Sequence, residues 1–67
     1  MKYPRIWIAA HGGEGRAAVN PKAPPIVLAI LANSEDFAVR AAVAEHENTP
    51  PDVLLKLADD PYTAVRA

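Results

Sequence analysis

The chain contains no cysteine, one serine, three glycines and four aromatic residues among its 67 positions. Each shortage closes a route. Without cysteine there can be no disulfide, no thiolate zinc site and no iron–sulfur cluster, so the supports left to so short a chain are tight packing or self-association. One serine, two threonines and two histidines supply no nucleophile–base–acid set, so no enzyme and no cofactor is expected. Few aromatics beside abundant alanine favour closely packed helices over a sheet. The apolar stretch in "MKYPRIWIAAH" is five residues, too short for a signal-peptide core or a membrane span. A soluble, cytoplasmic protein with no membrane partner is the expectation.

Net charge is also small. The formal net charge of −1 argues against a general nucleic-acid binder. Its distribution is uneven, however. Residues 1–33 hold Lys2, Arg5, Arg16 and Lys22 against Glu14, or +3, and residues 34–67 carry −4. Such a molecule can attract its own copies head to tail.

What the chain has is a repeated phrase. "PPIVLAILANSEDFAVRA" at 24–41 returns as "PPDVLLKLADDPYTAVRA" at 50–67, with ten of 18 positions identical. "RAAV" at 16–19 also returns at 40–43. A period in this range signals stacked helical units. In the second copy Thr49 is the expected N-cap, with Pro50 in the first turn and Asp52 as the capping-box acid. Val53, Leu54, Leu57 and Ala58 then form one apolar face. Ser34 and Asp60 are the expected caps of the elements that follow, with Pro61 inside the first turn of the second. "AVRAAVA" puts Val39, Ala42 and Val43 on one side, and so short a helix needs neighbours to persist.

The pattern "VRAAVAEHENTPPDVLLKLADDPYTAVRA" resembles the leucine-rich repeat variant, a bacterial repeat related to HEAT-type solenoids. The resemblance is close from Phe37 onward, good over 15–36 and poor over 1–14. It implies an all-α, short right-handed α-solenoid of helices alternating with short 3₁₀ or α segments, with no common catalytic residues. Some members of that family add a cysteine-ligated iron–sulfur segment, which this chain lacks the ligands to form. The expected organisation is a single repeat domain over 1–67. It has an atypical N-terminal cap at 1–14, a first repeat at 15–40 and a second, incomplete repeat at 41–67, whose missing layer a second copy would supply.

Differences between the copies nominate the surface. Where the second copy has Asp52 and Lys56, the first has Ile26 and Ile30, opposite the Val27/Leu28/Leu31 face. Either Ile6, Trp7 and Ile8 fold over these isoleucines as a cap, or the stripe stays open for a partner. Trp7, Ile26, Ile30 and Phe37 are the candidate interface residues. Arg16, Arg40 and Arg66 recur with the repeat, as an anion-gripping ladder or, more simply, as links between repeats, Arg40 with Asp36 being one such link. His11 and His46 have no metal-ligand spacing and read as surface histidines beside loops. "HGGEG" at 11–15 reads as a flexible connector. The sequence therefore points to a non-catalytic protein-interaction module built from stacked helical repeats, with self-association among its expected modes. The alternatives are a nucleic-acid-binding module using Lys2, Arg5, Arg16, Lys22 and the arginines, or a structural fragment of a longer array.

Overall fold

The computed structural model describes residues 3–66, so Lys2, one of the basic residues named above, lies outside them. Six helices account for the regular structure of these residues: α1 (Tyr3–Ala10), α2 (Glu14–Val19), α3 (Pro25–Leu31), α4 (Phe37–Glu45), α5 (Pro51–Leu57) and α6 (Thr63–Arg66). The class is all-α, as expected.

The two Pro-Pro helices start in the same way. Pro24 and Pro50 are extended N-caps, and Pro25 and Pro51 open the helices at positions that need no amide donor. The carbonyl of Pro24 accepts from Val27 and Leu28 at 3.0 and 3.1 Å, and that of Pro50 from Val53 and Leu54 at the same distances. Thr49 is therefore not the cap. Its hydroxyl donates backward to the carbonyl of Val43 at 2.6 Å, satisfying the end of α4 in place of the start of α5. Asp52 makes no capping bond either.

The helix after each unit is also capped differently from the sequence expectation. Asp36, not Ser34, is the N-cap of α4, its carboxylate accepting from the Ala38 amide at 2.9 Å. Ser34 and Asp60 each sit two residues earlier and accept from the amides of Asp36 and Tyr62, closing short side-chain turns. Pro61 accordingly precedes α6 and does not belong to its first turn. In the glycine-bearing segment, Glu14 and Gly15 are already helical, so the connector is His11–Gly13 alone. Gly12 and Gly13 both have φ above +90°, a conformation that glycine adopts without a steric penalty.

Packing is most extensive between α4 and α6, between α2 and α4, and between α1 and α3. One cluster of small aliphatic side chains runs through them: Ala17, Ala18, Val27, Leu28, Leu31, Val39, Val43, Val53, Leu57 and Val65 are all buried. The alanines at the α2–α4 contact let the two helices approach closely, and this is how a chain with few large side chains fills its interior. α1 packs on α3 but covers its outer stripe unevenly. Ile30 is half-buried, whereas Ile26 keeps 40% of its surface exposed. Ile6, expected as cover, is 61% exposed and faces away.

Candidate surface and the bonds between units

The polar side chains that reach across the chain do so at intervals close to the repeat. Ser34 Oγ donates to Glu14 Oε1 at 2.8 Å, twenty residues back. Twenty-six residues further on the same relation returns with new chemistry: Arg40 Nε donates to Asp60 Oδ2 at 2.7 Å and Nη2 to Oδ1 at 3.3 Å. The first clamp is a hydroxyl on a carboxylate and the second an ion pair, with side chains that are 13% and 6% exposed. Asp60 is held below the ordinary aspartate range, first by the Arg40 bond and then by the Tyr62 amide. Arg40 is correspondingly pushed up, chiefly by its hydrogen bond to Asp60.

A second repeated bond lies within each unit. Arg40 Nη1 donates to the Ser34 carbonyl at 2.7 Å, and Arg66 Nη1 donates to the Asp60 carbonyl at 2.8 Å, each six residues back. These bonds place Arg40 and Arg66 inside the scaffold. The partner of Arg40 is Asp60 and not Asp36, because the next unit folds back over α4. Arg16, which the RAAV motif aligned with Arg40, does not occupy its place on α2, where Glu14 stands instead; it is exposed and its stem packs over Gly12.

The third link joins two loops. His46 Nε2 lies 2.7 Å from the Asn20 carbonyl, and His46 Nδ1 lies 3.0 Å from the Asn48 amide. A carbonyl only accepts and an amide N–H only donates, so these contacts require the proton on Nε2. Asn48 Nδ2 adds bonds to the carbonyls of Pro21 and Ala23, both at 3.3 Å. His46 was expected as a surface histidine beside a loop. It is half-buried and fastens one loop to the loop one repeat earlier.

Identical local bonds at 26-residue intervals, joined by clamps of fixed reach, define a repeat unit. Residues 37–61 match the model of the leucine rich repeat variant family. No curated protein and no solved structure matches the chain. The matched segment spans α4, the His46 loop, α5 and the Asp60 turn, and so contains both ends of the Arg40–Asp60 clamp. The preceding unit repeats its geometry without being part of that match.

The interface candidates do not form one cluster. Trp7 stacks on His11 with ring centroids 3.7 Å apart, while the His11 Nδ1 proton bonds the Trp7 carbonyl at 2.7 Å. Ile26 and Ile30 share a face of α3. Phe37 lies elsewhere, stacked on Tyr62 at 4.8 Å and 6°, with the Arg40 guanidinium 5.5 Å from the Tyr62 ring centre. Tyr62 was absent from the sequence reading because its counterpart in the earlier unit is Asp36. The apolar residues left open include Leu54 and Leu55 on α5, which are 40% and 75% exposed. Leu54 is the counterpart of Leu28, which is fully buried.

Among the described residues no group of His, Asp or Glu is arranged to hold a metal ion, and no helix is long and apolar enough to cross a membrane.

Proposed function

We propose that the chain is a protein-docking scaffold with no chemistry of its own, a short solenoid whose outer faces receive a partner. The observation that carries this reading is how its side chains are divided. Ser34, Arg40, His46 and Asp60 are engaged in joining the units to one another, and the Thr49 hydroxyl serves the end of α4. Among the charged residues that face solvent stand large apolar side chains with no cover: Ile26, Phe37, Leu54, Leu55 and Tyr62. Flat aromatic and aliphatic side chains on a stiff support are the usual anchors of a protein interface.

The nucleic-acid alternative draws less support. Two of the three ladder arginines donate to Asp60 and to backbone carbonyls, which leaves Arg5, Arg16 and Lys22 as dispersed cations.

Affinity capture with the wild-type chain beside Ile26→Asp and Phe37→Ala tests the proposal, with circular dichroism to verify that each variant is folded. Proteins recovered by wild type and lost with one variant support docking. Recovery of the same proteins by all three would sink it, as would binding of DNA that weakens steeply with salt.

A further inference from the structure

We infer that a partner of this scaffold is a second copy of the chain, docked head to tail, with Leu55 of one copy seated in the hollow between α1 and α3 of the next. The inference rests on the docking reading above and gives it a specific occupant.

The hollow has a volume of about 260 Å³ and is lined by Arg5, Ile8, Ala9, Gly13, Glu14 and Ile30. Sites for small molecules run from roughly 300 to 1,000 Å³, so a space of this size suits an inserted side chain better. Ile26, one turn along α3 from Ile30, extends its apolar rim. Two charges stand at the hollow. The Oε1 atom of Glu14 accepts from Ser34. Arg5 is exposed and makes no ion pair among the described residues, so it is the charge free to meet an incoming acid.

On α5, Leu55 is the most exposed large apolar side chain among the described residues, at 75%. Its counterpart in the earlier unit is Ala29, so the repeat itself does not call for a leucine there. Asp52 lies one turn before it on α5 and Asp59 just past the end of that helix, both exposed and outside any ion pair among the described residues. An apolar knob flanked by Asp52, Lys56 and Asp59 therefore meets an apolar hollow edged by Arg5 and Glu14, with Arg5 the group placed to receive the acids. The halves of the chain, +3 and −4, add a longer-range attraction of the same sense. Knob and hollow occupy different surfaces, so the contact is heterologous and each added copy presents a fresh end.

Two variants separate the ends: Leu55→Asp removes the knob and Arg5→Glu reverses the charge at the hollow. Both positions are exposed, and circular dichroism verifies folding. In sedimentation velocity over a concentration series, the wild type should grow with concentration, and less so as salt rises. Each variant alone should associate at least about tenfold more weakly, as for a central interface residue. Mixed one to one, the variants should form a dimer that grows no further, since one retains the knob and the other the hollow. A wild type that stays monomeric at every concentration would overturn the inference. So would self-associating wild type whose variant mixture yields no dimer. If the purified chain is monomeric yet wild type still captures a different protein that Ile26→Asp or Phe37→Ala loses, the docking reading stands and the second copy is excluded.

Discussion

Arg40 grips Asp60 through two nitrogens of its guanidinium, at 2.7 and 3.3 Å, across twenty residues of chain. The carboxylate also accepts from the Tyr62 amide at 3.0 Å, so the same two side chains join one unit to the next and shape the turn before α6. A planar fork meeting a carboxylate in this way is not reproduced by lysine. Arg40→Lys should lower the melting temperature nearly as much as Arg40→Ala, and thermal denaturation of the two variants checks it.

The same pair sets a pH dependence. Because the fold holds Asp60 below its ordinary value of 3.8, the unfolded chain binds that proton more readily. The contribution of Asp60 is complete above that ordinary value and is lost as pH falls through the lower, folded value. Urea denaturation from neutral to acid pH should show Asp60→Asn less stable than wild type near neutrality, with the gap closing below about pH 4.

Leu28 and Leu54 hold the same place in successive units but differ in cover, being 0% and 40% exposed. Leu28→Ala should cost about 2–5 kcal/mol, enough to unfold so small a domain. Leu54→Ala should cost about 1 kcal/mol, since less of that side chain leaves water on folding. Chemical denaturation of both variants compares them directly.

Thr49 is buried and its hydroxyl serves the last carbonyls of α4. Thr49→Val keeps the shape and removes the donor, so it should destabilise by about 0.5–1.5 kcal/mol, the net worth of one hydrogen bond, since the Val43 carbonyl still accepts from the His46 amide. Gly15, helical and with open space where a side chain would project, should behave oppositely. Gly15→Ala should stabilise by about 0.5–1 kcal/mol in the same assay.

The two histidines should show opposite neutral tautomers. His46 carries its proton on Nε2, between Asn20 and Asn48, and His11 on Nδ1, against the Trp7 carbonyl. Long-range nitrogen–proton correlation spectra above the histidine titration range distinguish them, and identical patterns for the two rings would contradict one of the two assignments.

Much of the fold was legible because its signals are local. Paired prolines at the start of a helix, and leucines and valines three and four residues apart, announce α3, α5 and α4 with no knowledge of what they touch. The clamps were not legible, since Ser34–Glu14 and Arg40–Asp60 become neighbours only once the units stack. The Thr49 reading erred for a related reason: a hydroxyl before a helix has a standard local acceptor role, and here the end of the preceding helix offered it another use. His46 could have been found. It stands 26 residues after Asn20, the interval between the Pro-Pro pairs, and that interval was a hint that the two loops lie side by side.

The stacking of Trp7 against His11 has a practical result for optical work. Trp7 is the single indole of the chain and belongs to α1, so its emission follows the N-terminal helix, while far-ultraviolet ellipticity averages over all six. Coincident curves from the two probes would mean that α1 and the remaining helices melt as one body. Emission that changes first would mean that α1 peels away from α3 before the rest lets go.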